Sequence, residues 1–328
     1  MSKLLTIVIP CYNTEQYLAE CLESILFTEY NDVLEVLAIN DGSKDNTLSI
    51  AREYETRFPE ILKVIDKPNG GWGTVINMAI NEAKGRYFKI LDSDDWFDKK
   101  AFAEFISLLK DCNADIFITN FTEIYKDRIA VGKKYAEQLC SKTISLEEYL
   151  VETDNPGLFP MTNISVKTDI LKSGNITLPE RYYGDICFFI YTMALSNSVY
   201  ITNLNVYQYR KTVEGQSTST NGYIRNFKDY IEVTKRLISF TTQSPLSKHK
   251  KETIIARLMR DIAFSYKLLM SKEFCGNLPE SNSLLKEFNR YIKQTSTELY
   301  KESYKITNKH IPYVLIWRFF NINLFKFR

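Results

Sequence analysis

Short apolar runs alternate with amphipathic segments over the first 120 residues of the chain. Each run is followed by apolar positions at helical spacing, such as the stripe of Leu18, Leu22, Ile25 and Leu26 after the first run. This alternation predicts a parallel sheet covered by helices. The predicted strands are Leu4–Ile9, Val33–Ile39, Leu62–Ile65 and Tyr87–Leu91. The predicted helices include one capped by Asn13, one over Thr74–Ala83 and one from Lys99 to about Lys110 capped by Asp98.

The pattern changes twice further along the chain. From Ile116 the spacing is irregular, with a predicted hairpin around residues 126–134 and a capping box at Ser145 that opens a short helix. Residues 222–328 predict three or four helices, interrupted near Pro245, Pro279 and Pro312. We therefore predict one domain over residues 1–221, with halves 1–120 and 121–221, and a helical region over residues 222–328.

The composition is that of an ordinary globular protein. The 328 residues are 45% hydrophobic and 25% charged, which excludes a disordered chain, collagen and a disulfide miniprotein. The net charge of +2 hides an uneven distribution, because residues 1–221 hold 22 basic and 31 acidic side chains and residues 222–328 hold 20 and 9. An acidic body of −9 and a basic tail of +11 suggest two parts with different partners, and the near-neutral whole argues against nucleic acid.

The location expected from the sequence is the cytoplasm. The six cysteines are scattered without a CxxC pair, and we expect them to be reduced. The apolar stretch Leu4–Pro10 is too short for a signal peptide, and no run approaches the ~18 residues of a membrane span.

Polar residues follow each of the first four predicted strands. They are Tyr12-Asn13, Asn40-Asp41-Gly42-Ser43, Asn69-Gly70-Gly71 and Asp92-Ser93-Asp94-Asp95. In a parallel sheet with helices on both faces, the carboxyl ends of the strands form the ligand-binding edge, so these segments should converge. Turn formation and helix capping are the competing explanation for Asn13, Asp45 or Asp98 taken alone.

The fourth segment is the hardest to explain by turn formation. Three carboxylates within four residues repel one another, and nothing structural requires all three. Alternation in an extended segment points Asp92 and Asp94 to the same side and Asp95 to the other. Carboxylates without His or Cys suit Mg²⁺ or Mn²⁺, which takes its other ligands from water and phosphate. A metal-bound nucleoside diphosphate is the implied ligand.

Other phosphate-binding motifs fit less well. The chain has no GxxxxGK[ST] run, and Cys11-Tyr12-Asn13 stands where a dinucleotide fingerprint would need GxGxxG. A DxD motif also occurs in haloacid-dehalogenase-like phosphatases, although here it lies in mid-domain and is followed by Asp95-Trp96. That phosphatase, and a catalytically silent nucleotide- or sugar-binding module, remain the alternatives.

The four segments together resemble an inverting family 2 glycosyltransferase with the GT-A nucleotide-diphospho-sugar transferase fold, of the bacterial cell-surface polysaccharide type. The matching stretches are Thr6–Asn13, Ile39–Asp45, Asn69–Gly71 and Leu91–Asp95, which cover about the first 110 residues in order. The resemblance implies a Rossmann-like, mostly parallel sheet flanked by helices, followed by an all-helical C-terminal region.

The resemblance also implies roles for the residues in these segments. Pro10 and Tyr12, beside Asn13, would line the base pocket, and Asp41 would accept a hydrogen bond from the base, usually uracil. Asn69 and Gly70 would belong to the donor site. Asp92 would face the ribose or donor sugar and contribute to the metal site, and Asp94 would ligate Mn²⁺ or Mg²⁺. Asp95 would either orient these groups or contact the hydroxyls of the donor sugar.

An inverting transfer needs a base for the acceptor hydroxyl, and the resemblance places it at Asp185 in Tyr182–Phe188. Gly184 stands where relatives usually carry Glu, which puts that residue's contacts in doubt. The alternative role for Asp185 is an N-cap of a helix from Ile186 to Leu195.

One further segment departs from the family pattern. Ile76-Asn77 replaces the Arg-Asn that is usual after the third strand, so positive charge must come from elsewhere. The stretch from Arg210 to Ser217 resembles the segment that closes over the diphosphate in relatives. The alternative for Arg210 is an exposed arginine in a loop. Trp72, where relatives carry small residues, either stacks on a sugar or fills a gap.

The chain therefore predicts a metal-dependent inverting hexosyl- or N-acetylhexosaminyltransferase that uses a UDP-sugar. By analogy its acceptor is a glycan, free or lipid-linked, in capsule, exopolysaccharide or cell-wall synthesis. The aromatic and basic end of the chain, residues 311–328, suits an anionic inner membrane surface, docking onto the body, or a homodimer contact.

Overall fold

The structure is a computed structural model that describes residues 3–132, 134–153, 161–180, 182–211, 219–276 and 278–327. It divides into two compact units, Met1–Glu214 and Gly215–Arg328. The predicted domain boundary at residue 221, and the division of the first domain at residue 120, stay predictions.

Within the described residues, the first unit contains a ten-stranded sheet with helices packed on it. Its strands are β1 Leu5–Cys11, β2 Leu34–Asp41, β3 Leu62–Lys67, β4 Tyr87–Ile90, β5 Trp96–Phe97, β6 Ile116–Ile124, β7 Ile129–Val131, β8 Thr143–Ser145, β9 Ile164–Lys167 and β10 Ser198–Arg210. Its helices are α1 Leu18–Glu23, α2 Thr47–Arg57, α3 Trp72–Glu82, α4 Lys99–Asp111, α5 Leu146–Glu152, α6 Thr168–Ser173 and α7 Gly184–Leu195.

The sheet is parallel in its first half and mixed in its second. The strand order is β3-β2-β1-β4-β9-β6-β10-β5, and the first four strands are mutually parallel. Strand β9 is antiparallel to both of its neighbours, whereas β10 is parallel to β6. The predicted α/β fold class is confirmed, with less parallel pairing than expected. The register aligns Cys11 with Asn40 and Asp41 with Lys67, so three strands end at one edge.

Apolar burial explains why the first strands read as continuous runs. Every residue of β2 is buried, including its polar ones, and β1 is buried except at Pro10. Helices α1, α2 and α4 contribute residues such as Leu22, Ala51 and Phe105 to the core on one side of these strands. Because β1 and β2 are buried in the core, the polar residues at their carboxyl ends are held in place.

The local signals near the helix ends have different outcomes. Asp98 caps α4 by accepting a hydrogen bond from the Ala101 N–H at 2.8 Å, and Ser145 caps α5 in the same way through Glu148. The predicted hairpin forms between β6 and β7. The prediction that Asn13 caps the first helix is wrong, because α1 begins at Leu18.

The second unit is helical within the residues that the structure describes. Its helices are α8 Thr220–Arg225, α9 Phe227–Gln243, α10 Lys248–Met270, α11 Ser281–Thr295, α12 Thr297–Glu302 and α13 Tyr313–Phe320. The chain breaks between helices at the predicted prolines, although short helices make the number larger than expected. Apolar residues of α10 at helical spacing, including Ile254, Leu258 and Ile262, are buried. None of the described helices combines the length and the apolar character needed to cross a bilayer.

Candidate active site

A cleft of about 600 Å³ opens at the carboxyl ends of the parallel strands. Seven residues that the sequence predicts for the site line it, namely Pro10, Tyr12, Asn13, Asp41, Asn69, Asp92 and Asp94. The convergence of the strand ends that was expected from the sequence is therefore present in the fold.

Asp41 organises the loop between β3 and α3. Its two carboxylate oxygens accept hydrogen bonds from the backbone N–H groups of Gly70 and Gly71, at 2.9 and 2.8 Å, and it pairs with Lys67. The Asn69 amide donates to the Asp41 carbonyl at 2.9 Å. Gly70 is not among the residues that line the cleft, and its N–H contacts the cleft residue Asp41. A carboxylate has about four acceptor sites, and three donors contact Asp41, so Asp41 can still accept a hydrogen bond from a ligand.

Asn13 joins the loops that follow β1 and β2. Its side-chain oxygen accepts from the Lys44 N–H at 2.9 Å, and its own N–H donates to the Ser43 hydroxyl at 3.0 Å. Asn13 has a φ of 52°, in the left-handed region that Asn tolerates. These contacts replace the capping role expected from the sequence. They leave Tyr12, which is 48% exposed, projecting at the rim of the cleft.

The acidic segment after β4 divides as the alternation predicts. Asp92 and Asp94 line the cleft, whereas Asp95 is buried. Asp95 accepts hydrogen bonds from the Tyr207 hydroxyl and the Arg210 N–H, both at 2.7 Å. Asp95 is thus placed to orient the segment.

Burial and mutual repulsion disfavour the charged forms of these carboxylates. Burial raises the pKa of Asp92 well above its usual range, and the charges of Asp95, Asp94 and Asp185 raise it further. The Trp72 side chain has the opposite, smaller effect on this pKa. Burial raises the pKa of Asp94, and burial with the Asp94 charge raises the pKa of Asp95 to about 7. A cation in the cleft would relieve this penalty.

A divalent metal fits these residues only with help from a ligand. Among the described residues, no group of three or more His, Cys, Asp or Glu side chains is arranged to hold a metal. Asp92 and Asp94 offer two hard oxygen ligands on the cleft wall. That is the donor set with which Mg²⁺ or Mn²⁺ is held jointly by one or two carboxylates and the phosphates of a substrate.

Arg210 lies beneath the acidic segment and is largely buried. Its guanidinium donates to the Asp94 carbonyl at 2.8 Å and to the Glu20 carboxylate at 2.6 Å. The same group lies over the rings of Trp96 and Tyr17, 4.5 and 5.0 Å from their centres. With its side chain 18% exposed at the end of β10, Arg210 is not an exposed loop residue. Its predicted contact with a diphosphate stays a prediction, and Ser217 lies outside the described residues.

Asp185 lies in the first turn of α7, three residues after Tyr182, which lines the cleft. The N-cap of this helix is Tyr183, with a φ of 63°, so the alternative of Asp185 as the N-cap is wrong. Asp185 is exposed, and it is near enough to Asp92 for its charge to raise the pKa of that residue. The fold therefore brings together two carboxylates that are 93 positions apart in the sequence.

Three cleft residues, Thr14, Tyr17 and Val75, had no signal of their own in the sequence. The cleft is also lined by Cys11, Thr14, Tyr17, Gly71, Trp72, Val75, Ser93 and Tyr182. Lys67 was missed as the partner of Asp41. A Lys just after the predicted strand Leu62–Ile65 and an Asp just after the predicted strand Val33–Ile39 could have indicated the pair. Glu20 and Tyr207 were missed because their partners are distant in sequence.

Comparison with known proteins gives one family. The profile described as Glycosyl transferase family 2 matches residues 6–170, half of the chain. The uncharacterized glycosyltransferase MG025 homolog of Mycoplasma pneumoniae is 44% identical over 102 residues, 30% of this chain and 34% of that protein. Glycosyltransferase GlyG of Streptococcus pneumoniae is 26% identical over 249 residues, 73% of this chain and 81% of GlyG.

Solved structures of several glycosyltransferases share the fold. Staphylococcus aureus TarS 1–349 in complex with UDP-GlcNAc has a TM-score of 0.68 and 20% identity, over 96% of this chain and 86% of that one. A Pyrobaculum calidifontis mannosyltransferase in complex with GDP-Man and Mn²⁺ has a TM-score of 0.52 and 17% identity, over 92% and 85%. At these identities the likeness shows the fold alone. The aligned part of this chain spans 44% of full-length TarS, which is named a poly(ribitol-phosphate) beta-N-acetylglucosaminyltransferase.

Proposed function

The chain belongs to glycosyl transferase family 2, and on that premise we propose that it transfers a sugar from a nucleoside diphosphate to a hydroxyl of a glycan, with inversion. The observation that carries the proposal is the cleft at the strand ends, which is lined by Asp92 and Asp94 and has Asp185 near Asp92. Such a cleft offers a place for a metal-bound diphosphate and a carboxylate for the incoming hydroxyl.

For the donor we propose a UDP-sugar. Tyr12 and Pro10 would flank the base, and Asp41, held by Gly70, Gly71 and Lys67, would accept a hydrogen bond from it. The fixed position of this carboxylate favours a base with a matching N–H, as uracil has. The UDP-GlcNAc that is bound in the TarS complex supports this choice and an N-acetylhexosaminyl group.

For the cofactor we propose Mn²⁺ or Mg²⁺ held by Asp94 and Asp92. When bound, the ion supplies positive charge beside the departing diphosphate. Arg210 holds the Asp94 carbonyl, and Asp95 anchors the same segment to β10, so the two cleft carboxylates keep their positions. The Mn²⁺ of the mannosyltransferase complex supports a metal in this fold.

For the base we propose Asp185. The first turn of a helix is a fixed location, and Asp185 is exposed there to an incoming hydroxyl. It would take the proton as the acceptor oxygen attacks the anomeric carbon from the face opposite the diphosphate.

For the acceptor we propose a cell-surface glycan, carried at times on a lipid. The name of TarS supports an acceptor of this class. We also propose that the second unit binds an anionic membrane surface through Phe319 and Phe320 of α13, which are 69% and 70% exposed. Arg318 fixes that helix by donating to Asn289 and Tyr266, both at 2.6 Å, so the two rings are held at the surface.

The experiment combines binding with turnover. UDP binding is measured by calorimetry with Mn²⁺, and UDP release is measured over a panel of nucleotide sugars with and without glycan acceptors. We expect Asp94→Asn to weaken metal-dependent UDP binding at least tenfold, because a neutral amide is a poor ligand for a hard cation. We expect Asp185→Asn to bind UDP normally and to lose at least about 100-fold in turnover.

Asp98→Asn is the matched control, since Asp98 lies outside the cleft lining and an Asn still caps α4. Unchanged metal-dependent binding in Asp94→Asn would contradict the donor site, and surviving transfer in Asp185→Asn would move the base elsewhere. Release of inorganic phosphate instead of UDP would favour the phosphatase alternative. UDP binding without any turnover would favour a silent binding module.

A further inference from the structure

Helix α3 contacts both sides of the cleft. At its start, the N–H groups of Gly70 and Gly71 donate to Asp41 on the donor side. Further along, the same helix contacts residues 178–180, which precede Asp185 and the start of α7. The helix is thus the physical link between the proposed nucleotide pocket and the proposed base.

Asn77 is the main contact between α3 and this segment. Its amide N–H₂ donates to the Leu178 carbonyl at 3.0 Å, and its amide oxygen accepts from the Leu178 N–H at 2.8 Å. One side chain therefore satisfies both polar groups of a buried backbone position 101 residues away. Leaving these groups without partners would be costly, so the pairing specifies where the segment lies.

Gly73 brings the two backbones into direct contact one turn earlier. Its N–H donates to the Glu180 carbonyl at 2.8 Å. A Cβ at this position would lie 1.7 Å from the Pro179 carbonyl oxygen, so no other residue fits without separating the helix from the segment.

Trp72 continues the contact to the residue before Asp185. A Cβ at Gly184 would lie 3.1 Å from the Trp72 ring, so the ring occupies the space beside this glycine. The Trp72 side chain is also close enough to Asp92 to oppose the rise in the pKa of that carboxyl. Trp72 thus lies beside a proposed metal ligand and beside the start of the helix that carries the proposed base.

We propose that Asn77 is a positioning residue for the transfer, because it holds residues 178–180 and thereby the start of α7, where Asp185 lies one residue after the Gly184 that packs against Trp72. This inference rests on the function proposed above. Asp185 follows Glu180 by five positions, so a displacement of the held segment moves the carboxylate directly. A misplacement of about 1 Å can cost a reaction about 100-fold while leaving the remote nucleotide pocket intact.

The matched control is Asn203, which makes the same pair of bonds elsewhere in the first unit. It accepts from the Tyr135 N–H at 2.8 Å and donates to the Tyr135 carbonyl at 3.0 Å. We expect Asn77→Ala to lower kcat at least tenfold, with the KM for the donor and the Kd for UDP within threefold of wild type. We expect Asn203→Ala to lose a similar amount of thermal stability with kcat within twofold.

Asn77→Asp is the second variant. It keeps the acceptor for the Leu178 N–H but sets a carboxylate oxygen against the Leu178 carbonyl, so its kcat should also fall at least tenfold. Equal losses of kcat in Asn77→Ala and Asn203→Ala, in proportion to stability, would mean that Asn77 is merely structural.

Amide hydrogen exchange separates this inference from the proposed function. In Asn77→Ala, peptides covering residues 178–187 should exchange at least tenfold faster, whereas Asn203→Ala should leave them unchanged. Unchanged exchange there in both Asn77 variants would overturn the proposal at any level of activity. If wild type turns over no nucleotide sugar, the proposed function fails, and the exchange result alone decides whether Asn77 holds the segment.

Discussion

Individual acidic residues at the cleft differ in the partners that the fold provides. Asp41 has two backbone N–H groups and Lys67, and Asp95 has Tyr207 and the backbone of Arg210. The carboxylates of Asp92 and Asp94 instead face the cleft. The first pair therefore stabilises the walls, and the second pair supplies negative charge to whatever binds between them.

Lys89 is a buried cation that lies three residues before the acidic segment. Its ammonium donates to the Thr162 carbonyl at 2.9 Å and lies 5.6 Å from the centre of the Phe97 ring. Burial alone lowers the pKa of Lys89 to about 7. An unfolded lysine keeps its proton up to a pH of about 10.4, so between these values the unfolded chain binds more protons than the folded one.

We therefore predict that Lys89→Met removes a rise of stability with pH. In wild type, the free energy of unfolding should gain up to about 1.4 kcal/mol per pH unit from this residue between about pH 7 and pH 10, and nothing below pH 7. Urea unfolding of both proteins from pH 5.5 to 9.5 measures the difference. A constant difference across that range would show that Lys89 is neutral or charged in both states.

Among the elements, the contact of α3 with residues 178–180 depends on the absence of a side chain at Gly73. The helix periodicity of α3 follows from its buried residues Val75, Ile76, Ala79 and Ile80, which was readable from the sequence. The partner of the neighbouring face, which carries Gly73 and Asn77, was not readable, because residues 178–180 carry no periodic pattern.

We predict that Gly73→Ala destabilises the protein by more than about 2 kcal/mol, because the new methyl group would lie 1.7 Å from a backbone oxygen. Gly184→Ala is the paired variant, and its methyl group would meet the Trp72 ring at 3.1 Å, where a side chain can shift. Its cost should stay below about 1 kcal/mol. Thermal unfolding compares the two, and equal costs would contradict the close backbone contact.

At the scale of the whole molecule, charge is divided along the chain. Residues 1–221 carry a net −9 and residues 222–328 a net +11. The basic region also carries the exposed Phe319 and Phe320. Attraction to anionic lipid with insertion of two rings is the form of binding that this combination favours.

We predict that the protein sediments with vesicles containing phosphatidylglycerol and that Phe319→Ser/Phe320→Ser lowers the bound fraction at least fivefold, since inserted rings leave water. Salt at about 0.5 M should also release it. The control is Ile129→Ser/Val131→Ser, which removes two apolar side chains of the first unit that are 69% and 54% exposed. Equal binding to neutral phosphatidylcholine, or no loss in the Phe variant, would contradict the membrane surface.

The sequence by itself determined the alternation of strands and helices, the polar strand ends and the family. Those features depend on local periodicity, capping and turn chemistry, which are properties of neighbouring residues. Asp98 as a cap and the alternation of Asp92, Asp94 and Asp95 are examples that the structure confirms. Even here a local signal failed at Asn13, because a tertiary contact with Lys44 replaced the cap.

Only the tertiary structure decided which distant groups meet. The pairing of Asn77 with Leu178, the proximity of Asp185 to Asp92, and the enclosure of Arg210 by Glu20, Tyr17 and Trp96 each join segments far apart in the chain. Such contacts follow from how rigid elements pack around one core, and no window of sequence contains both partners. The periodic pattern of the chain predicts its elements, and their packing determines the distances on which the proposed chemistry depends.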